Sequence, residues 1–151
     1  MEVYAFDPYC PDDVMKKDGV TPVASVEELY KTCQFVSLHI PATAETKQSI
    51  NYSLLSLMPK GALLINTARK EVIYEEDLAR ILEERTDFHY VADVAPTIAD
   101  TLKEKFGNRV FFTPKKMGAQ TAEANINAGI AAARQSVGYL KDGIDKFRVN
   151  K

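Results

Sequence analysis

The chain contains few of the residues that build metal sites and disulfide frameworks. It has two cysteines, Cys10 and Cys33, and two histidines, His39 and His89. The cysteines form no Cys-x-x-Cys pair and have no histidine at ligand spacing, which argues against a zinc site or a disulfide. Isolated histidines are typical of packed or hydrogen-bonded side chains. We therefore expect no metal ion and two reduced thiols.

The sequence also lacks an excess of positive charge and a long apolar run. The formal net charge is -2 at pH 7, whereas a general nucleic-acid surface needs clustered Lys and Arg. No apolar run approaches the roughly 18 residues of a membrane helix, and the amino terminus has no signal-peptide pattern. These absences predict a cytoplasmic protein with no nucleic-acid or membrane partner. With 151 residues, 46% of them hydrophobic, the chain suits one domain.

Short apolar runs alternate with helical patterns along the chain, which predicts an α/β fold with a parallel sheet covered by helices. The expected strands are Val3 to Phe6, Phe35 to Leu38, Leu63 to Ile65, Tyr90 to Val94 and Val110 to Phe112. Helices are expected after a capping box at Ser25 to Glu28, after Asn51, from Tyr74 to Arg85, and from about Thr121 to Leu140 with Gly143 as a stop. The last helix is long enough to reach beyond the domain.

The segment Asn66-Thr67-Ala68-Arg69 follows the apolar run Gly61 to Ile65. Buried parallel strands end at ligand crevices, so Arg69 is expected beside a site. Its guanidinium can bind a carboxylate or polarise a carbonyl oxygen, as chemistry on small oxo or hydroxy acids requires. The alternative is an arginine that caps a strand end.

Asp7 and Pro8 follow the first predicted strand. An acidic residue at the end of the second Rossmann strand accepts hydrogen bonds from the adenosine ribose and favours NAD over its 2'-phosphorylated form. The alternative is an Asp-Pro turn. We expect the preceding glycine-rich loop, which forms the pyrophosphate cradle, to be absent from these residues.

Three further segments are expected at strand ends: Ser37 to Pro41, Ala92 to Pro96 and Thr113 to Thr121. With Asn66 to Arg69, they would converge on one crevice if the strands are parallel.

The order and spacing of these motifs resemble the carboxy-terminal half of the D-2-hydroxyacid dehydrogenases, most closely the short D-3-phosphoglycerate dehydrogenases. The resemblance covers essentially the whole chain. The motifs that carry it are Val3 to Tyr9, Ser37 to Pro41, Leu64 to Arg69 and Phe112 to Gly118.

The resemblance implies hydride exchange between NAD and the C2 carbon of a 2-hydroxy acid, most specifically D-3-phosphoglycerate in serine biosynthesis. It makes Arg69 the substrate-binding arginine, Asp7 the ribose ligand and Asp93 the contact of the nicotinamide carboxamide. The implied cofactor-binding residues are Asp7, Pro8, His39, Ile40, Pro41, Thr46, Asn66, Thr67, Ala68, Asp93 and Gly118. The implied catalytic residues are Arg69 with Lys115 and Lys116.

Two departures from the family pattern concern the catalytic base. The family has a His after Thr-Pro and a Glu that orients it, whereas Ile98 stands at the position of that Glu and Lys115 follows Pro114. Counting back from Gly118 instead places Lys116 opposite the His, so both lysines remain candidates.

A lysine base needs a pKa lowered from about 10.4 toward 8 by desolvation and neighbouring positive charge. The alternative is a solvated Lys-Lys turn. Asp100 could replace the orienting Glu, but Thr97 to Asp100 is also a capping-box pattern, and we favour that role. Lys70 stands where the family usually has Gly, which bears on the local backbone shape.

In the Rossmann strand order 3-2-1-4-5-6, one strand lies between those ending at Asp7 and near His39. We expect residues 1–151 to form an incomplete dinucleotide-binding domain that lacks this central strand, the glycine-rich loop and the substrate domain. Two unpaired strand edges would follow, which predicts a homo-oligomer, namely a rearranged or strand-exchanged dimer. A competing hypothesis is an inert fragment that acts only as a folding or association module.

Overall fold

The computed structural model describes residues 1–113 and 121–148. Lys115, Lys116 and Gly118, three of the predicted site residues, lie outside this part of the chain. The chain divides into two compact units, Met1–Lys116 and Met117–Lys151. The first unit contains the sheet and the second contains a long helix.

The first unit alternates strands and helices, as expected. Its elements are β1 Tyr4–Ala5, α1 Asp12–Lys17, β2 Thr21–Pro22, α2 Val26–Thr32, β3 Phe35–Leu38, α3 Tyr52–Leu55, β4 Leu63–Asn66, α4 Glu75–Glu84, β5 His89–Ala92, α5 Ala99–Phe106 and β6 Val110–Phe112. Short 3-10 turns cover Lys70–Val72 and Gly107–Arg109. The second unit contains α6, Ala122–Asp142. No helix in the described residues has the length and apolar character to cross a bilayer.

The strands form two parallel sheets, β1-β2 and β3-β4-β5-β6. Neighbouring strands of the larger sheet pair in register, so the last residues of its four strands lie in one row: Leu38, Asn66, Ala92 and Phe112. We call this row and the loops that follow it the carboxyl edge. The predicted α/β fold with a parallel sheet is confirmed.

The division into two sheets falls where a central strand was expected. β1 pairs with β2 and β3 pairs with β4, but β1 and β3 are not neighbours in either sheet of the described residues. Each therefore has one edge without a strand partner. Exchange of a strand with another copy stays a prediction.

The hydrophobic core lies on one face of the larger sheet. Successive strand residues point to opposite faces, and Val36, Leu64, Tyr90 and Val110 form a buried row that packs with the helices. The helices contribute Tyr30, Leu55, Leu78, Ile81, Leu82 and Leu102, each no more than 1% exposed. On the opposite face, Phe35 and Phe111 are 59% and 58% exposed.

Two of the predicted helix N-caps, Ser25 and Asn51, are confirmed. The Ser25 hydroxyl accepts a hydrogen bond from the Glu28 N–H, and the Glu28 carboxylate accepts one from Ala24. Asn51 caps α3. The structure adds a third cap at Thr121, whose hydroxyl accepts the Ala124 N–H at the start of α6. Gly143 ends α6 with a φ of 66°, a left-handed conformation that glycine adopts at little cost.

The capping box predicted at Thr97 to Asp100 is wrong. Helix α5 does begin at Ala99, but its N-cap residue Ile98 provides no side-chain hydrogen bond. Instead, the carboxylate of Glu75 accepts hydrogen bonds from the N–H groups of Thr97 and Ile98 at 2.7 and 3.3 Å. The helix is therefore capped from α4, because the tertiary fold brings a carboxylate to its first N–H groups. The sequence pattern also missed α1 and β2, which are short.

Candidate functional site

The carboxyl edge brings three loops together through backbone contacts. The Asp93 N–H donates to the Asn66 carbonyl at 3.2 Å, and the Thr113 N–H donates to the Ala92 carbonyl at 3.1 Å. The Thr113 hydroxyl also donates to the Asp93 carbonyl at 2.8 Å. The segments after β4, β5 and β6 therefore meet, as parallel pairing predicted.

Asn66 organises the turn that carries Arg69. Its side chain is 2% exposed, and its Oδ1 accepts a hydrogen bond from the Ala68 N–H at 3.0 Å. Its Nδ2 donates to the Arg69 carbonyl at 3.1 Å and to the Tyr90 hydroxyl at 3.4 Å. Burial raises the pKa of Tyr90 to about 12, so this hydroxyl stays neutral at physiological pH. The described bonds of Asn66 are all internal, and its contact with the cofactor stays a prediction.

Arg69 is exposed beside this turn. Within the described residues, its guanidinium makes one hydrogen bond, from Nη1 to the neighbouring Ala68 carbonyl at 3.3 Å, and no ion pair. The alternative role of Arg69, as a cap of the strand end, is supported only by this one hydrogen bond among the described residues. Most of the guanidinium donors are therefore available to an anion. Thr67 is likewise exposed, whereas Ala68 is partly buried against the core.

Asp93 has a buried side-chain oxygen. Its Oδ1 is buried and accepts no hydrogen bond from any described residue. An unsatisfied buried acceptor is costly and calls for a donor from a ligand or a water. The carboxamide NH2 of a nicotinamide is such a donor, so the side chain fits the role that the family resemblance implies.

Asp7 and Pro8 line a groove of about 510 Å³ at the ends of β1 and β2. Asp7 also accepts a hydrogen bond from the Tyr9 N–H through Oδ1 at 2.8 Å, so the predicted turn is present as well. Oδ2 makes no described bond and can accept from a ribose hydroxyl. Asp12 and Glu28 line the same groove, and no Lys or Arg is among its described lining residues. Three carboxylates disfavour a 2'-phosphate there.

The segment after β3 is closed by its own hydrogen bonds. The Thr46 hydroxyl donates to the Pro41 carbonyl and accepts the Thr43 N–H at 2.8 Å, so both its hydrogen and its oxygen are used within the loop. His39 is exposed, with Nε2 at 3.0 Å from the Ser37 hydroxyl, and Pro41 is also exposed. Ile40 packs against the core. Of the contacts predicted in this segment, His39 and Pro41 are therefore the exposed ones.

Lys70 fits without backbone strain and links two loops. It begins a 3-10 turn, and Gln48 is the one non-glycine residue with positive φ among the described residues. Its Nζ donates to the Thr97 hydroxyl at 3.3 Å. Thr97 in turn donates its N–H to Glu75. Sequence reasoning missed Glu75 and Tyr90, because no spacing pattern connects them with their partners 22 and 24 positions away.

The remaining predictions concern cysteines and metals. Cys10 and Cys33 are both free, as expected. Within the described residues, no group of three or more His, Cys, Asp or Glu side chains could hold a metal ion.

Comparisons with known families give one clear match. The model of the family described as "D-isomer specific 2-hydroxyacid dehydrogenase, NAD binding domain" matches residues 1–114.

Curated relatives include D-3-phosphoglycerate dehydrogenases. That of Haemophilus influenzae is 32% identical over 99% of this chain and 37% of its own length. The chloroplastic D-3-phosphoglycerate dehydrogenase 2 of Arabidopsis thaliana is 37% identical over 99% of this chain and 24% of its own length. The chain therefore spans much less than half the length of these relatives.

Solved structures show the same fold. The NAD+-bound 3-phosphoglycerate dehydrogenase of Entamoeba histolytica is 45% identical, with a TM-score of 0.85, over 100% of this chain and 47% of that protein. The apo D-lactate dehydrogenase of Escherichia coli is 25% identical, with a TM-score of 0.75, over 95% of this chain and 44% of that protein.

Proposed function

Because the chain belongs to the NAD-binding domain family of the D-isomer specific 2-hydroxyacid dehydrogenases, we propose that it forms the cofactor-domain part of an NAD-dependent D-3-phosphoglycerate dehydrogenase. The observation that carries the proposal is the carboxyl edge, where Arg69 and Asp93 follow adjacent strands. Among the described residues, the Arg69 guanidinium has no acidic partner and the Asp93 Oδ1 has no hydrogen-bond partner. The 45% identity with a 3-phosphoglycerate dehydrogenase supports the choice of substrate.

Each candidate residue has a distinct role in this proposal. Arg69 binds the substrate carboxylate or polarises its carbonyl oxygen. Lys115 or Lys116 takes the proton of the C2 hydroxyl as general base. Asp93 accepts a hydrogen bond from the carboxamide, and Asp7 accepts hydrogen bonds from the adenosine ribose. When bound, NAD supplies the nicotinamide that accepts the hydride from C2.

The rest of the enzyme is also part of the proposal. Relatives extend well beyond the matched segment, and we assign the substrate-phosphate site and the pyrophosphate loop to that additional polypeptide. We further propose a cytoplasmic homo-oligomer that serves serine biosynthesis. The unpaired edges of β1 and β3 favour strand exchange between copies. Light scattering tests the oligomer, and a monomer with a disordered first strand would contradict strand exchange.

The same unpaired edges favour a second candidate function. A chain with two open strand edges can act as a folding or association module without catalysis. Initial rates of NADH formation with 3-phosphoglycerate separate the two functions. These rates are measured on the 151-residue chain and on the same chain extended upstream by the corresponding segment of the Entamoeba histolytica enzyme. We expect turnover only from the extended form. Turnover by the short chain would contradict the need for upstream residues. If neither form turns over 3-phosphoglycerate, the dehydrogenase proposal is contradicted.

Separate replacement of the two lysines identifies the base. Lys115→Met and Lys116→Met are compared in the form that turns over. Only loss of the true base should abolish turnover while leaving NAD affinity nearly intact. Equal and mild effects of both substitutions would exclude a lysine base.

A further inference from the structure

We propose that Asn66 is the positioning residue of Arg69, because its buried amide holds the backbone from which the guanidinium extends. The inference rests on the proposed function, in which Arg69 binds the substrate carboxylate. It gives the asparagine a role in substrate binding, in addition to the cofactor contact that the resemblance implies. Three features of the carboxyl edge support it.

First, the bonds of Asn66 hold the backbone on both sides of Arg69, one residue before it and at its own carbonyl. Oδ1 accepts from the Ala68 N–H, and Nδ2 donates to the Arg69 carbonyl. The same carbonyl accepts the Val72 N–H at 3.4 Å, so it is held from two sides. At 2% exposure, water cannot readily replace the asparagine in these bonds.

Second, no other described side chain holds the guanidinium. Its one hydrogen bond goes to the neighbouring Ala68 carbonyl at 3.3 Å, and it forms no described ion pair. The direction in which the side chain leaves the protein is therefore set by the backbone of the turn. An error of about 1 Å in such a position can reduce catalysis about a hundredfold.

Third, the core fixes the orientation of Asn66 itself. Nδ2 also donates to the Tyr90 hydroxyl at 3.4 Å. The Tyr90 ring packs edge-on against Phe112, with ring centroids 5.7 Å apart. A chain of contacts from β6 through β5 therefore reaches the turn after β4, and the position of Arg69 depends on the packed sheet.

The chemistry of this position requires an amide. An aspartate would keep the acceptor for Ala68 but lose both donors and bury a charge. A serine would keep an oxygen near the Ala68 N–H but cannot donate to two acceptors at once. Glutamine adds a methylene where the site has almost no free surface.

The test is a double-mutant cycle with two readouts. Asn66→Ala, Arg69→Ala and the double variant are compared in the form that turns over. Asn66→Ala is expected to lower kcat/KM for 3-phosphoglycerate about 10- to 100-fold, with the KM for NAD changed less than about threefold. In the Arg69→Ala background, the same change is expected to cost less than about twofold, because the group that it positions is gone. Equal losses in both backgrounds would overturn the inference.

A binding readout separates this inference from the proposed function. The Arg69 Nε–H NMR signal of the 151-residue chain is assigned by its loss in Arg69→Ala and titrated with oxalate, a carboxylate probe that needs no turnover. Asn66→Ala is expected to raise the oxalate Kd about tenfold, and an unchanged Kd would overturn the inference. If oxalate affinity depends on Asn66 but neither form of the protein oxidises 3-phosphoglycerate, the proposed function fails and the positioning role stands.

Two variants control for a general loss of stability. The Asn51 Oδ1 accepts the Leu54 N–H and caps α3. Asn51→Ala removes this cap and is expected to lower Tm without changing the oxalate Kd. If Asn66→Ala does not fold, Asn66→Ser replaces it in both experiments. The same criteria then apply.

Discussion

The amino and carboxyl ends of the larger sheet differ in whether their charged side chains have hydrogen-bond partners among the described residues. Before β5, Arg85 and Asp87 bind each other at 2.7 Å and also bind the backbone of the loop before β4. After β4 and β5, Arg69 has no described ion pair and Asp93 has a buried oxygen without a described partner. The two ends belong to the same strands, so strand geometry does not explain the difference.

At the amino end, the charged side chains of Arg85 and Asp87 form hydrogen bonds with backbone carbonyl and N–H groups. Arg85 donates to the carbonyls of Met58 and Pro59 at 2.7 and 2.8 Å. Asp87 accepts the Gly61 N–H at 2.6 Å. The Arg85 guanidinium and this N–H hold the pKa of Asp87 well below its usual range. Charges used in this way stabilise the fold.

The carboxyl end leaves hydrogen-bonding groups of Arg69 and Asp93 unused among the described residues. Partnerless polar groups are costly in a folded protein and cluster where ligands complete them. The comparison therefore predicts that substitutions at the carboxyl end change activity more than stability, and that substitutions at the amino end do the reverse.

Arg69→Ala gives the largest expected effect. Loss of the carboxylate contact should lower kcat/KM for 3-phosphoglycerate about 10²- to 10³-fold. The exposed side chain makes one weak internal bond, so stability should change by less than about 0.5 kcal/mol. Initial rates and thermal unfolding check both parts. A Tm loss as large as that of Arg85→Ala would break the distinction between the two ends.

Arg85→Ala should mainly reduce stability. It removes two bonds to carbonyls and the partner of Asp87, with an expected cost of about 2–3 kcal/mol. Urea unfolding measures the loss. Lys105→Ala is the matched control, since its ion pair with Glu83 is more than half exposed at both side chains and should cost below about 1 kcal/mol. Similar losses for the two variants would show that the amino-end cluster contributes no more than a surface pair.

Asp87→Asn tests the same cluster through pH. Because the folded-state pKa lies below the ordinary value, the carboxylate stabilises the protein above about pH 4 and loses this effect as pH falls through the folded pKa. The Tm difference between wild type and Asp87→Asn should therefore be largest near pH 7 and should shrink toward about pH 3 and below. Thermal unfolding at several pH values measures it. A difference that is constant with pH would contradict the ionic contribution of Asp87.

Glu75→Gln gives the smallest expected effect. The substitution leaves one oxygen for the two N–H groups at the start of α5 and should cost about 1 kcal/mol in urea unfolding. Glu76→Gln, which changes a neighbouring exposed carboxylate bound to the Tyr74 hydroxyl, should cost only about a few tenths of a kcal/mol. Equal costs would mean that α5 does not depend on its cap from α4.

Local sequence patterns predicted the caps at Ser25 and Asn51, because each cap bonds an N–H three residues further along. Periodicity likewise located the strands that form the larger sheet. The wrong capping box at Thr97 shows the limit of such patterns. There, the N–H groups are satisfied by Glu75, 22 residues earlier.

The amino-acid sequence alone determined the alternation of strands and helices apart from α1 and β2. It also determined the position of Arg69 after a buried strand and the resemblance to the hydroxyacid dehydrogenases. They depend on residue type and short spacing, which the chain carries before it folds. The packing of the sheet decides which polar groups find a hydrogen-bond partner, such as the Asn66 amide at Tyr90. It also decides which find none among the described residues, such as the Asp93 Oδ1. Those outcomes depend on burial and on contacts between distant residues, and neither exists until the strands are in register.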